Sequence, residues 1–130
     1  MVFIGYVVVA VLAAAMNVWA ASMDFRRTEM AVTNAATVEV PSSWVVPLGA
    51  LKFAGALGLL AGIAVPLLGV AAAIGLTLFF VCAIFAHLRV NWYATLPFPI
   101  AFLSLALCAL VLRLASAGSL WAIAPRLSGA

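Results

Sequence analysis

Four apolar stretches of about membrane-spanning length dominate this chain, and its few charged residues fall mostly at their ends. A helix that crosses ~30 Å of hydrocarbon at ~1.5 Å per residue needs ~20 apolar residues. The stretches are read as 2–23, 44–65, 68–87 and 97–115. Composition removes the main alternative, a soluble domain with a large core. Hydrophobic residues make up 69% of the chain and charged residues 7%, against ~25% charged in a typical soluble domain. A chain of 130 residues cannot bury that much apolar surface inside itself, so a lipid bilayer must cover it. The expected fold class is all-α, a transmembrane four-helix bundle formed by one membrane domain over 1–130.

The connections refine this reading. No Lys or Arg precedes the first stretch, and its apolar run exceeds the ~7–15 residues of a signal-peptide core, so it is expected to be a retained helix. The segment Asp24–Ser43 holds all three acidic residues, Asp24, Glu29 and Glu39. Within it, Phe25–Val38 can form an amphipathic helix with Met30, Ala31, Asn34 and Ala35 on one face, before Pro41 stops it. An interfacial or re-entrant helix is therefore expected between helices 1 and 2. Pro66 is expected to end the second span. The connection to the third is short enough to force an antiparallel hairpin. Ser116, Gly118 and Ser119 are expected to break the fourth span, leaving Trp121 and Arg126 as interface anchors.

The net charge of +3 is spread over isolated residues and forms no basic run, which argues against nucleic-acid binding. Cys82 and Cys108 each lie in an apolar stretch, outside any Cys-x-x-Cys or metal-ligand spacing. They read as small packing residues. Gly55, Gly58 and Gly62 share one helix face, and Gly69/Ala73 and Ala71/Gly75 offer similar small surfaces on the next helix. Such residues let membrane helices approach closely.

Lys52 is the most informative residue. It lies ~10 Å inside the second span at ~1.5 Å per residue, and ~60° around the helix from Gly55. An ammonium at that depth costs ~2.5–3.5 kcal/mol unless it reaches the interface or finds a partner. Asn17 lies at a similar depth on the first span and shares a face with Asp24. Cys82 and Ser104 fall near the same level, with His87 and Arg89 just beyond it. A polar layer is expected, in which Asn17, Lys52, His87 and Arg89 bind a ligand and Lys52, His87 or Asp24 serve as acid or base. Arg113, near the expected end of the fourth span, reads as an anchor that snorkels to the interface.

The stretch Lys52–Val90, with the preceding VPSSWVVPLGAL, resembles the DoxX-like family of small bacterial membrane proteins. The resemblance is carried by the Lys52-x-x-Gly55-Ala56 start, the Gly62, Pro66, Gly69 hairpin and the Ala86-His87-Leu88-Arg89 ending. It implies a four-helix membrane bundle. It also implies kinship with membrane subunits of oxidoreductase systems, among them thiosulfate:quinone oxidoreductase and a complex with thiosulfate sulfurtransferase and superoxide dismutase. At the level of fold alone, the bundle is similar to the membrane sterol-isomerase group. One His and two separated Cys form no haem or metal ligand set, so no cofactor is identified and a quinone is the candidate that the resemblance adds.

Two functions are carried forward. The first is a protein of the cytoplasmic membrane that binds a lipophilic small molecule or serves as an accessory subunit of a quinone-linked redox complex, with a homo-oligomer as another candidate assembly. The second is a membrane-embedded isomerase, cyclase or epoxide-opening enzyme on an apolar substrate. Whether the chain is an enzyme is left open. The excess of Arg26, Arg27 and Arg89 on one side places that side in the cytoplasm and both termini outside. A C-terminal reporter active only outside the cytoplasm is expected to score positive, and one active only inside would reverse the assignment.

Overall fold

A computed structural model describes residues 1–127, with side-chain surroundings up to Ser116. The expected anchors Trp121 and Arg126 lie outside the described side chains. The described chain is helical throughout: α1 (Val2–Phe25), α2 (Glu29–Thr37), a 3-10 turn (Ser42–Trp44), α3 (Val45–Ala61), α4 (Pro66–Arg89) and α5 (Pro97–Leu127). Among the described residues, four segments are long and apolar enough to cross a membrane: Val2–Phe25, Ser42–Ala61, Pro66–Arg89 and Pro97–Ser116.

Two boundaries differ from expectation for physical reasons. The second span ends at Ala61, not Val65, and Pro66 opens α4 instead of closing α3. Proline suits the first helical position, where its missing N–H would have no partner, and it holds the preceding residue extended. Val65 accordingly has φ −119° and ψ 102°. The fourth helix runs through Ser116, Gly118 and Ser119 to Leu127. Leaving the helix in an apolar medium would expose backbone groups that no water can meet, which outweighs the weak propensity of Ser and Gly. Ser116 turns its hydroxyl back onto the Arg113 carbonyl at 3.0 Å, a bond compatible with the helix.

The connecting helix is shorter than Phe25–Val38. The chain leaves α1 at Phe25, and Arg27 takes φ 47°. The Thr28 amide bonds the Met23 carbonyl and the Arg27 amide bonds the Asp24 carbonyl, the paired closure of a Schellman turn. The Thr28 side chain then caps α2 by accepting from the Ala31 amide. Glu39 and Asn91 close α2 and α4 with the same bond pattern at φ 61° and 55°. Ala35 and Val38 of this segment are buried, while Met30, on the same expected face as Ala35, is 57% exposed.

The four spans form a ring in which α1 packs on α3 and α5, and α4 packs on α3 and α5. Their buried residues recur at spacings of three and four. The stripes are Tyr6, Ala10, Ala13, Asn17, Ala21 and Asp24 on α1, Gly69, Ala73, Leu76 and Phe80 on α4, and Phe102, Ala106, Ala109, Arg113 and Ser116 on α5. This is the seam pattern of left-handed bundles, in membranes as in water. Large apolar side chains such as Leu12, Leu51, Leu78 and Val111 face outward, where lipid meets them.

Glycine sets the closest approach. A Cβ on Gly62 would fall on the Gly69 backbone and against the Tyr6 hydroxyl, and one on Gly58 would meet the Ala72 Cβ at 2.6 Å. The expected Ala71/Gly75 surface is different: both are exposed, and a Cβ on Gly75 meets nothing within 4 Å. Cys82 and Cys108 are free and exposed, so they do not pack inside the bundle as expected. Gly62→Ala and Gly58→Leu are expected to destabilise the protein by about 2 kcal/mol or more, since neither backbone can retreat. Gly75→Ala should leave thermal stability in detergent unchanged or slightly raised.

Candidate functional site

The two ends of the bundle handle charge differently. At the end where α1 stops and α3 starts, Gly49 brings the two helices together: a Cβ there would lie 2.6 Å from the Asp24 Cβ. Lys52 follows one turn later. Side chains on a helix lean toward its N-terminus, so the Lys52 stem runs back toward Asp24. Its Nζ donates to Asp24 Oδ2 at 2.8 Å, and both side chains are mostly buried, at 17% and 12% exposure. The ammonium also sits 5.5 Å from the centroid of the Phe79 ring on α4. Asp24 lies in the last turn of α1, where the helix dipole disfavours a carboxylate, so the lysine offsets an otherwise poor position.

The other expected members of the polar layer do not join this pair. Asn17 is 3% exposed, and its amide donates to the Ala13 carbonyl of its own helix at 2.8 Å. Its Oδ1 is buried with no partner. His87 uses both ring nitrogens: Nδ1 lies 2.8 Å from the Ala83 carbonyl, and Nε2 lies 3.0 Å from the Thr95 hydroxyl. The carbonyl can only accept, so Nδ1 carries a proton. The ring is stacked on Trp92 at 5.2 Å. Arg89 donates to the Val38 carbonyl at 2.6 Å, and Arg27 donates to the Ser42 carbonyl at 2.9 Å. These two arginines therefore fasten the connection that carries α2: Arg89 bonds a carbonyl left open at the end of α2, and Arg27 adds a second donor to the Ser42 carbonyl, which also accepts from the Val45 amide. Ser104 bonds the Ile100 carbonyl on its own helix and is exposed, as is Cys82, so neither extends a layer across the bundle.

At the opposite end the sequence reading missed the main feature. Arg113 is 1% exposed and does not snorkel to the surface. Its guanidinium carbon lies 5.3 Å from the Phe3 ring centroid and 5.2 Å from that of Tyr6. Nη1 donates to Ser116 Oγ at 2.8 Å, while Nε is buried with no partner. The Tyr6 hydroxyl donates to the Leu59 carbonyl at 2.7 Å, which locks α1 onto the end of α3. Beside Arg113 lies a cleft of about 560 Å³, walled by Phe3, Ile63, Ala64, Pro66 and Ser116 among others. The unpartnered Nε shows that the donors of the arginine are incompletely satisfied. Two cation–π contacts contribute ~0.5–2 kcal/mol each, comparable with the ~2.5–3.5 kcal/mol that an Arg costs at a membrane helix centre, but neither contact supplies the acceptor that Nε lacks. The signal for this residue was present in the spacing, because Arg113 continues the stripe Phe102, Ala106, Ala109.

The ion pair yields a test by double-mutant cycle. Lys52→Met should destabilise by about 2–3 kcal/mol because it strands Asp24. Lys52→Met with Asp24→Asn should cost less than the sum of the single changes. Additive losses in thermal unfolding would show that the two side chains do not interact.

Neither the comparison with curated proteins nor that with solved structures gave a match. The DoxX-like family matches over residues 8–111. That segment includes the Lys52–Asp24 pair, the Gly62–Gly69 crossing and most of all four spans, and it stops short of Phe3, Tyr6 and Arg113 at the other end. This multi-pass membrane chain belongs to the DoxX-like family.

Proposed function

We propose that the chain is a membrane protein that holds a lipophilic small molecule in the cleft beside Arg113, as an accessory component of a redox system. The cleft carries the reading. Its volume, about 560 Å³, falls within the ~300–1,000 Å³ of small-molecule sites, and apolar walls around a few polar donors are the usual makeup of such sites. The redox association is supported by the resemblance to membrane subunits of oxidoreductase systems. Two kinds of head group suit the donors, a neutral carbonyl such as that of a quinone and an oxyanion.

A second reading keeps the polar layer. It makes the chain an isomerase, cyclase or epoxide-opening enzyme with Asp24 and Lys52 as a proton-transfer pair, and it is favoured by their direct contact at 2.8 Å. His87 fits that role less well, because both of its ring nitrogens already have partners inside the chain. Asn17 and Arg89 would then serve in binding.

Native mass spectrometry of gently extracted protein separates the two. A retained lipophilic molecule is expected on the wild type and on Lys52→Met. It should be absent from Ala64→Trp, in which the indole fills the cleft from an exposed turn position. Retention by Ala64→Trp combined with loss from Lys52→Met would move the site to the Lys52–Asp24 end.

A further inference from the structure

We propose that the ligand of the Arg113 cleft is an amphiphile whose head is an oxyanion, a carboxylate or a phosphate, clamped by the Arg113 guanidinium. This rests on the cleft being the ligand site, and it decides between the two kinds of head group.

The first support is missing negative charge. A guanidinium stays protonated in a protein, and Arg113 is almost fully buried. Its described contacts are two aromatic rings and one hydroxyl, with Nε left over. The side-chain carboxylates of the chain are those of Asp24, Glu29 and Glu39. All three lie at the far end of the bundle, and Asp24 is separated from Phe3 by nearly the whole of α1, about 30 Å at ~1.5 Å per residue. Asp24 is in any case held by Lys52. No side-chain acid of the chain can reach Arg113.

The second support is the direction of the surrounding dipoles. The first residues of α1, Met1 to Phe3, and the first residue of α4, Pro66, all line the cleft. Two helix N-termini therefore bring their positive dipole ends to the same space, which favours an anion, although in α4 the Leu68 and Gly69 amides already bond the Val65 carbonyl. The end of α3 is also here, and its negative end is largely closed. The Leu59 carbonyl accepts from Tyr6, the Leu60 carbonyl from the Ile63 amide, and the Ala61 carbonyl from the amides of Ala64 and Val65. A neutral carbonyl ligand would gain little from this field.

The third support is the guanidinium itself. Arg113 has Nη1 on Ser116 and its guanidinium carbon over the Phe3 and Tyr6 rings, which holds its head group in place. A guanidinium held in the cleft wall with a donor to spare bonds a carboxylate or phosphate oxygen more strongly than a neutral one. The apolar walls at Val2, Phe3, Ile63 and Pro66 then suit a hydrocarbon chain.

The test titrates the full chain in neutral detergent with oleate, dioleoyl phosphatidate, oleyl alcohol and decylubiquinone, read by native mass spectrometry. Oleate, phosphatidate or both should bind at least about tenfold more tightly than the two neutral probes, because a charged head gains a charge-assisted hydrogen bond. Binding of both acids points to the shared head-group chemistry, binding of phosphatidate alone to a bilayer lipid, and binding of oleate alone to a free acid. Arg113→Gln should bring the anionic probes to within about twofold of oleyl alcohol, and Arg113→Lys should keep part of the preference. Should Arg113→Gln fail to fold, Ala64→Trp supplies the control, since it leaves Arg113 in place and should abolish oleate binding. Equal binding of oleate and oleyl alcohol by the wild type overturns the oxyanion clamp and leaves the cleft as a site for neutral ligands. Absence of binding by all four probes overturns the cleft as well.

Discussion

The crossing of α3 and α4 at Gly62 and Gly69 leaves no room for a side chain on either helix, and the rest of that end of the bundle is built around it. Because the two backbones touch, the Tyr6 ring can lie across both and place its hydroxyl on the Leu59 carbonyl. Tyr6 in turn offers a face to Arg113, whose stem also passes close to Gly69. In a bilayer there is little hydrophobic drive between helices, so close packing and internal hydrogen bonds must supply the association. Glycine at the crossing and tyrosine across it provide both.

Charge is then distributed by what each end can supply. At the end with the long connection, the protein has acids, and Lys52 is met by Asp24. Arg27 and Arg89 bond carbonyls of the connection, which ties the short α2 segment to the spans. At the other end there are aromatic faces, a hydroxyl and two helix N-termini, and no side-chain acid among the described residues. The same residue type therefore has opposite consequences: Arg89 completes a structural contact, while Arg113 leaves a positive site beside an open cleft.

The fold was largely legible in the sequence because span length and lipid-facing composition are set by the bilayer, a constraint that each stretch reports by itself. The places where reading failed were local. Pro66 can end one helix or begin the next, and only the preceding glycine turn distinguishes these. Ser116 and Gly118 look like breakers by propensity measured in water, yet an apolar medium carries the helix through them. The ion pair was half visible: Lys52 was expected to need a partner and Asp24 was among those considered, but helix angle alone could not separate Asp24 from Asn17 or His87, which turn to their own neighbours. Arg113 was misread because the fourth helix was expected to stop two residues later. A buried arginine on a continuing helix follows from the three-and-four spacing of Phe102, Ala106, Ala109 and Arg113, once that spacing is given priority over the breakers.

Lys52 and Asp24 meet each other inside one end of the bundle, and Arg113 at the other end is proposed to be met by a ligand. An experimental structure of the full chain in a native-like lipid mixture, at a resolution that shows side chains, tests this most directly. The predicted result is density outside the polypeptide in the cleft, with a head group of two or more oxygens within hydrogen-bonding distance of the Arg113 guanidinium and an apolar chain along Phe3, Ile63 and Pro66. An Arg113 guanidinium closed by a carboxylate of the chain itself, with a cleft filled by protein, would contradict it.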